Sequence, residues 1–493
     1  MSLRRLVRRR ADDEGVTLVI AIMVMGVVIT LSLLVLTVAI SGQQTSARDR
    51  QRTVAVNAAE AGVDAAFATI QSAGTTLPCS WPATGTQAVN AAPDRATARA
   101  TVTYYKADGT ALGHCPTPAD TGASAPVTAV VDGYGTTNAL NGAPVRTRHM
   151  QSLINVTPIY DKSLNKAIFA DGNLTFSNNT TLTGNDGPDA DVYTNSDFAC
   201  ANGQNYAGSV NSQGAITVAG GCTVAGDLWA KNSISAPSGA NGSAGGRVLS
   251  SASTISLPGN YSVNGSLLAG GAISWSGCST TGKCFANTTV ANPPPFPFPI
   301  LRGDAATLAT WVAEGYNVVE NNDCSNGANG VKAKIISTYS KASGVKTLVR
   351  TSCPVNFAKD NDILLQNDLA IFAYGGLSSS QQVSFRSSDS TMRNLHWVVP
   401  YEAATSRPCA TPGITTDNQF NFATTVNMLA YSPCNISFSN NSDHIGQIYG
   451  GSAVSINNQF TMKYQPVPVW GIDPASLPLL SYKIDVVYKR ETR

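Results

Sequence analysis

The chain has 493 residues and a formal net charge of +2 at pH 7, and only 13% of its residues are charged. The first 15 residues hold five of the 33 basic residues and three of the 31 acidic ones, which leaves 28 of each. A nucleic-acid-binding surface needs clustered lysine and arginine, because phosphate contacts dominate its affinity. The composition therefore predicts no nucleic acid partner.

An unbroken apolar run extends from Val16 to Ile40. Its length exceeds the roughly 20 residues needed to cross the hydrocarbon core of a bilayer. Five preceding arginines, at positions 4, 5, 8, 9 and 10, predict a cytoplasmic N-terminus and an extracytoplasmic C-terminal region. A secretory signal peptide is disfavoured because three acids separate these arginines from the run. A cut after Ser41 and a plain single-pass anchor remain alternatives.

Helix-forming residues continue beyond the run, and no proline occurs before Pro78. The pattern predicts one helix from Val16 to about Ala73, about 87 Å long at 1.5 Å per residue. Its second half is rich in alanine and contains Gly62, which lets neighbouring helices approach closely. This composition suits a helix packed among copies of itself.

Three features together resemble a type IV prepilin, and more narrowly the N-terminal region of PilX-type minor pilins. They are a basic leader ending in Gly15, an apolar helix starting at Val16 with VTLV, and the trailing AAEAGVDAAF. The resemblance implies cleavage by prepilin peptidase between Gly15 and Val16, usually followed by methylation of the new N-terminus. It also implies other pilins or pseudopilins as partners, and the inner or cytoplasmic membrane before assembly.

One residue departs from the major pilins. They carry a glutamate five residues into the mature chain, where this sequence has Ile20. A lone carboxylate in hydrocarbon is costly unless it is paired, so the missing acid removes both a cost and a registering contact. Some minor pilins and pseudopilins at filament tips also lack it, so the resemblance favours a tip subunit.

The ten cysteines form no CxxC pair, and their even number predicts disulfides formed in an oxidising compartment. Spacing alone favours pairing between neighbours, with several free, buried cysteines as the alternative. The expected pairs are Cys79 with Cys115, Cys200 with Cys222, Cys278 with Cys284, Cys324 with Cys353, and Cys409 with Cys434.

Four ten-residue segments share one pattern, in which glycine precedes an aliphatic residue and a second aliphatic residue follows six positions later. They are GSVNSQGAIT from Gly208, GDLWAKNSIS from Gly226, GSLLAGGAIS from Gly265 and GQIYGGSAVS from Gly446. Starts 18 and 39 residues apart indicate a period near 19, about one coil of a parallel β-solenoid. Asparagines in GNLTFSNNTTLTG and CNISFSNNSDHI are candidates for stacked corner ladders. A β-sandwich remains the alternative.

The overall prediction is an α+β protein with a long pilin helix, a small antiparallel β head and a right-handed parallel β-helix with an insertion. The predicted segments are a leader at 1–15, the helix at 16–73, the head at 74–158, the first solenoid part at 159–292, a proline-rich linker and insertion at 293–356, and the second solenoid part with a C-terminal strand at 357–493.

Parallel β-helices include polysaccharide lyases and hydrolases, so candidate carboxylates matter. In the first repeat region they are Asp171, Asp186, Asp189, Asp191, Asp197 and Asp227. A glycosidase needs two carboxylates about 5 to 10 Å apart across a cleft, which no spacing here indicates. The four histidines, at 114, 149, 396 and 444, have no metal-ligand spacing. We expect no enzymatic activity and no cofactor.

Two binding features are secondary. Asp186, Asp189 and Asp191 lie in a glycine-containing segment whose oxygens suit calcium, although a solvated turn is the preferred interpretation. Trp229, Trp275 and Tyr206 could stack on sugar rings or simply pack.

The functional expectation is an exported minor pilin-like subunit of a type IV pilus or related filament, at the tip, whose solenoid contacts a surface glycan or host ligand. It would be a single-pass membrane protein before assembly and part of an extracellular filament or the cell surface afterwards. The alternative is a surface-anchored carbohydrate-binding or carbohydrate-active β-helix protein.

The cleavage prediction can be tested directly. A Gly15→Ala variant should remain unprocessed, because a peptidase site at the membrane face must admit the backbone closely and a methyl group would obstruct it. N-terminal sequencing of the wild type should begin at Val16. The matched control, Gly42→Ala, should be processed normally, and a mature N-terminus at Gly42 would contradict the pilin-type leader.

Overall fold

The computed structural model describes residues 4–89, 96–120, 124–137, 145–160, 164–184, 190–357, 362–401, 413–417, 419–477 and 479–492. It divides into two compact units. The head unit comprises Met1–Tyr160 and Leu479–Arg493, and the solenoid unit comprises Asp161–Pro478. The helices are α1 (Arg4–Ser72), α2 (Cys278–Thr281), α3 (Ala305–Ala313) and α4 (Val331–Lys334), with a π-helix at Ile335–Tyr339 and a 3-10 turn at Pro474–Ser476.

Helix α1 is continuous over 69 residues, as the absence of proline predicts. It begins before the expected mature start at Val16 and ends at Ser72. Gly74 follows with a φ of +65°, a backbone conformation that glycine adopts without strain. The helix therefore ends one residue before the expected Ala73.

The head sheet is antiparallel. Its strands are β1 (Ser80–Trp81), β2 (Gln87–Ala88), β3 (Ala96–Tyr105), β4 (Thr128–Thr137), β5 (Thr147–Tyr160) and the C-terminal strand (Leu479–Thr492). They lie in the order β1, β3, β4, β5, C-terminal strand, with β2 also on β3. The C-terminal strand thus belongs to the head, although the sequence grouped it with the second solenoid part.

The solenoid unit is a parallel β-solenoid of about 12 turns, as predicted. Each coil contributes strands to three faces. The first face contains Ile168–Ala170, Val192–Thr194, Val210–Ser212, Leu228–Ala230, Val248–Ser250, Leu267–Ala269, Cys284–Phe285, Tyr316–Glu320, Lys346–Thr351, Leu369–Ala373, Arg393–Val398, Val426–Ser432 and the second half of Ser442–Gly450.

Along the stack, Tyr316–Glu320 and Cys284–Phe285 lie at opposite ends of the first face, and the other two faces draw their strands from the same parts of the chain. The second face contains Leu174–Asn178, Phe198–Asn202, Ile216–Val218, Ile234–Ser235, Ile255–Ser256, Ile273–Ser274, Val355–Asn356, Leu377–Ser379, Ile414–Thr416, Ile436–Ser439 and Val454–Asn457. The third face contains Thr180–Gly184, Gln204–Tyr206, Cys222–Val224, Gly242–Ala244, Tyr261–Val263, Ile363–Leu365, Val383–Ser387, Phe420–Phe422, the first half of Ser442–Gly450 and Phe460–Tyr464.

All four sequence repeats occupy the same corner of a coil. The first aliphatic residue of each lies on the first face and the second on the second face, so Val210 pairs directly with Leu228. An intervening coil explains the 39-residue step, since Val248 pairs with both Leu228 and Leu267. The pattern missed that coil because it has one extra residue before Ile255.

The stack is assembled from two parts of the chain. The last coils of the second part pair with the first coil of the first part, through Ile448 with Ile168 and Val454 with Leu174. The predicted insertion at 293–356 also contributes to the stack, because Tyr316–Glu320 and Lys346–Thr351 are coil strands. Single-sequence patterns show such strands but not their parallel partners.

One column of buried side chains runs through the lumen of the solenoid. It continues in register across both chain parts and consists of Val349, Ile371, Trp397, Ala430, Ile448, Ile168, Val192, Val210, Leu228, Val248 and Leu267. Because each coil buries its aliphatic residues only against its neighbours, stability accumulates along the stack.

The predicted asparagine ladder is present at the corner between the second and third faces. The Asn178 side-chain nitrogen donates to Asn458 Oδ1 at 3.0 Å, and Asn458 donates to Asn440 Oδ1 at 3.3 Å. Asn440 and Asn458 have φ values of 60° and 53°, which asparagine tolerates better than most residues. Corner geometry and side-chain stacking therefore explain the same residues.

Both ends of the stack are closed. Val331 and Ile335, on α4 and the π-helix, are buried against the lumen residues Val349 and Val355 at one end. At the other end, a disulfide joins Cys278 at the start of α2 to Cys284 on the last first-face strand. These caps protect strand edges that would otherwise invite pairing with other chains.

Two histidines are buried in the solenoid unit. Burial lowers the pKa of His396 to about 4 and that of His444 to about 3, because the charged imidazolium is disfavoured away from water. His444 lies among aromatic rings, 4.9 Å from Phe438 and 5.1 Å from Phe460 between centroids. Between its folded pKa and about pH 6.5, each histidine is neutral in the folded protein but would be protonated in the unfolded chain.

The unfolding free energy of the solenoid should therefore fall with acidification. The unfolded pKa of about 6.5 lies above both folded values, so stability is full above pH 6.5 and is lost as the pH falls towards 4 and 3. Each histidine should remove about 2 kcal/mol between pH 7.5 and pH 5, measured by denaturant unfolding. The His444→Phe variant should lose the part of this pH dependence that His444 contributes.

The control for this measurement is Phe438→Leu, which disturbs the same aromatic cluster without removing a titratable group. It should lower the unfolding free energy equally at both pH values. An unchanged pH dependence in His444→Phe would contradict the assignment.

Candidate interaction surfaces

The front half of α1 is an exposed apolar surface. Every large apolar side chain from Val16 to Ile40 is exposed, with fractions between 46% and 68%. In the part of the chain that the structure describes, one helix is long and apolar enough to cross a membrane, and it is this one. Because such a surface is unfavourable in water, it needs lipid or other apolar helices around it.

The rear half of α1 packs on the head sheet. Ala59, Val63 and Ala66 are almost fully buried against β3, β4 and β5. The helix lies so close to β4 that a Cβ atom on Gly135 would come within 2.1 Å of the Ala55 carbonyl oxygen. Small residues on both elements therefore set the distance between helix and sheet.

The C-terminal strand adds contacts to the same helix. Lys489 forms an ion pair with Asp64 and lies 5.4 Å over the Phe67 ring. Glu491 bridges Arg52 on α1 at 3.7 Å and Arg148 on β5 at 3.6 Å. These pairs are partly exposed, so each contributes at most about 1 kcal/mol. Their positions nevertheless fix the strand against both helix and sheet.

The predicted cleavage residues lie within the continuous helix α1. Val16 is 59% exposed, and Ile20, which stands in place of the acid of major pilins, is 54% exposed. Cleavage between Gly15 and Val16 stays a prediction.

The outer side of the first face is covered by a proline-rich strap, residues 291–301. Face side chains donate hydrogen bonds to strap carbonyl oxygens, from Tyr193 Oη to Pro294 at 2.6 Å and from Tyr431 Oη to Pro299 at 2.7 Å. Trp229 Nε1 donates to the Ala291 carbonyl at 2.9 Å. The segment predicted to be a proline-rich linker is therefore a packed layer on the solenoid.

The second face carries a column of short, uncharged side chains that alternate with its buried residues. In register along the stack they are Asn356, Ser378, Thr415, Ser437, Ser455, Thr175, Ala199, Thr217, Ser235, Ser256 and Ser274. This column offers hydroxyl groups and no charge.

The candidate carboxylates that the structure describes accept hydrogen bonds from neighbouring coils. Asp191 accepts from the backbone N–H of Ser209 at 2.8 Å, and Asp197 accepts from that of Ala215 at 2.7 Å. Asp227 accepts from Arg247 Nη2 at 2.7 Å, and Asp171 Oδ1 accepts from the Asn195 amide nitrogen at 2.7 Å. Each links one coil to the next, so their spacing reflects the solenoid period.

The calcium candidates give no described site. Asp186 and Asp189 lie outside the described residues, and Asp191 is 3.4 Å from Lys166 Nζ. Among the residues that the structure describes, no group of three or more histidine, cysteine, aspartate or glutamate residues could hold a metal ion.

Of the three aromatic residues considered for sugar stacking, Tyr206 is buried, whereas Trp229 and Trp275 are half-buried. Tyr206 is 2% exposed, and its hydroxyl donates to the side chain of Gln204 inside the lumen. Trp275 Nε1 donates to the Tyr261 carbonyl at 3.0 Å near the closed end. The indole N–H of Trp229 is held by the strap. The alternation of side chains along each strand predicts that these residues are exposed, because it contains no information on the strap or on the end cap that contact them.

The structure pairs eight cysteines as the sequence order suggests. The disulfides are Cys79–Cys115, Cys200–Cys222, Cys278–Cys284 and Cys324–Cys353. Cys434 is buried, and its expected partner Cys409 lies outside the described residues, so the fifth pair stays a prediction.

Sequence reasoning missed a groove between α3 and residues 469–477. The cavity has a volume of about 610 Å³, and its lining includes Trp470, Arg302, Asp304, Glu314 and Asp473. On α3, Trp311 is fully buried and Val312 is 54% exposed, and Tyr316 starts the next strand. The second wall comes from residues more than 150 positions away, so no local signal identified it.

Together the described residues form one span-length apolar helix, an antiparallel head sheet and a β-solenoid that is inserted in the sequence between β5 and the C-terminal strand. No protein-family model and no curated protein matches the chain.

Two solved structures show similarity. One is the competence-associated pilin ComZ from Thermus thermophilus, with 12% identity, a TM-score of 0.31, and coverage of 89% of this chain and 97% of that one. The other is an ice binding protein from an Antarctic bacterium, Flavobacteriaceae, with 12% identity, a TM-score of 0.15, and coverage of 63% and 99%. At this level of similarity, function must be argued from the residues of this chain.

The tight contact at Gly135 yields a prediction. Gly135→Ala should destabilise the head by about 1 to 3 kcal/mol, because the new methyl group would overlap the backbone of α1 and force the helix away. Hydrogen exchange of the amides between Ala55 and Ile70 should accelerate. Gly42→Ala, where no atom lies within 4 Å, is the matched control and should leave those amides unchanged. Equal protection in both variants would contradict the packing.

Proposed function

We propose that the chain is an exported minor pilin-like subunit that occupies the tip of a type IV pilus or related filament and contacts surfaces through its solenoid. The division of α1 carries the proposal. Val16–Ile40 forms an exposed apolar cylinder, while the same helix continues to Ile70 as the buried partner of a sheet. The N-terminal half of α1 therefore suits a lipid bilayer or a bundle of apolar helices, and its C-terminal half packs on the head sheet.

Two observations support a position at the tip. The solenoid unit spans residues 161–478, far more than the head that carries it, and repeating so large a unit at every position of a tight helical array would cause overlap. Ile20 also leaves the front of the helix without the acid that registers neighbouring subunits in major pilins. Both features suit few copies with free space around them.

We further propose that the subunit is not an enzyme. Asp171, Asp191, Asp197 and Asp227 are used as coil-to-coil hydrogen-bond acceptors. Of the carboxylates that line the groove beside α3, Asp304 caps the helix and Asp473 pairs with Arg302. A general acid and base would need two carboxylates that face each other across a cleft without such structural roles. Residues 402–412 and 185–189 lie outside this argument.

Labelling of filaments tests the position. Gold-conjugated antibody against the solenoid should mark filament ends or sparse points on the cell surface, and deletion of the gene should reduce filament number while the major subunit remains stable. Antibody against the major subunit is the control and should label the whole shaft. Continuous solenoid labelling, with a copy number near that of the major subunit, would show that the tip assignment is wrong.

A further inference from the structure

The groove beside α3 is a walled site of ligand size. Its volume of about 610 Å³ falls within the roughly 300 to 1,000 Å³ typical of small-molecule sites. Gly471, with a φ of +76°, brings one wall against the helix, since a Cβ atom there would lie 2.7 Å from Thr307 Cγ2 and Thr310 Oγ1. The floor is therefore closed by backbone contact with α3.

The charged residues of this α3 groove do not balance. Three carboxylates, Asp304, Glu314 and Asp473, line it together with one guanidinium, that of Arg302. Arg302 Nη2 donates to Asp473 Oδ2 at 3.2 Å, so that charge pair is internally satisfied. Asp304 accepts from the Thr307 backbone N–H at 2.8 Å, which holds the pKa of its carboxyl below the usual range. The lining thus carries a net charge of about −2 at neutral pH and attracts cations.

An aromatic side chain completes the site. Trp470 is half-buried, its ring packs edge-to-face on Trp311 at 4.9 Å, and its carbonyl accepts from Trp311 Nε1 at 2.8 Å. The indole is therefore held in place before any ligand arrives. An indole face attracts an ammonium group and also packs against the C–H groups of a sugar ring.

We propose that the α3 groove binds an amino sugar, a polyhydroxylated ring bearing a protonated primary amine. Asp304 and Glu314 cap opposite ends of α3, about 15 Å apart at 1.5 Å per residue, so they are complementary to ammonium groups on different rings of a short amino-sugar chain. One ring of that chain packs on Trp470, and Arg302 and Thr310 face hydroxyl groups. The inference rests on the proposed surface-contact role of the solenoid and gives that contact a chemical class.

Acetylation of the amine provides the sharpest test. Titration of the purified full-length protein in detergent with a glucosamine trimer, followed by tryptophan fluorescence and calorimetry, should show saturable binding that weakens as salt is raised. The N-acetylated trimer lacks the positive charge and should bind at least tenfold more weakly. Equal binding of the two trimers, or no binding at millimolar trimer, overturns the proposal.

Two arginine substitutions on α3 locate the site. Thr310→Arg places a cation inside the groove and should reduce binding of the glucosamine trimer at least tenfold. Val312→Arg adds the same charge to the same helix at a position that is 54% exposed and outside the lining, and it should bind normally. Unchanged binding in Thr310→Arg, with both variants folded by circular dichroism, overturns the assignment.

The outcome is separable from the filament proposal. Sugar binding is measured on the isolated subunit, whereas the tip position is read from labelled filaments. If the sugar does not bind but antibody still labels filament ends, only the amino-sugar proposal is rejected. If the sugar binds but antibody labels the whole shaft, only the tip position is rejected.

Discussion

The backbone pairing between the last and first coils of the solenoid is the constraint on which the rest of the molecule depends. Ile448, Val454 and Phe460 of the second chain part pair with Ile168, Leu174 and Thr180 of the first. This junction converts two stacks into one continuous lumen and removes two open edges. The chain enters the solenoid unit after Tyr160 and leaves it before Leu479, and these two residues pair in the head sheet.

The strap solves a related problem of hydrogen bonding. To reach the far end of the stack, the chain must run back along the first face, where main-chain N–H groups would require acceptors. Prolines present carbonyl oxygens and no N–H, so the five prolines among residues 293–299 can accept hydrogen bonds from the face without adding N–H groups that need acceptors. Tyr193, Tyr431 and Gln213 supply those donors. The carbonyl acceptors of the proline-rich strap and the side-chain donors of the first face are therefore complementary.

Local patterns predicted the helix, the pairing of neighbouring cysteines and the solenoid, because each of these features depends on residues that are close together in the sequence. The repeat around Val210 and Leu228 marks one coil against the next. The pairing of Tyr160 with Leu479, by contrast, joins residues that no period connects. The strap and the α3 groove were missed for the same reason, since Trp311 and Trp470 meet only after the stack has closed. Long-range parallel and edge pairings depend on topology, which one sequence does not encode in any window.

The insertion of the solenoid between β5 and the C-terminal strand has a mechanical consequence. Both covalent connections leave the head at the paired ends Tyr160 and Leu479. Tension applied to the solenoid therefore enters the head at the same end of two neighbouring strands. One of them, β5, is hydrogen-bonded to β4 and passes load into the sheet. The other, the C-terminal strand, is tied to α1 through Lys489 with Asp64 and Glu491 with Arg52, and so passes load to the helix.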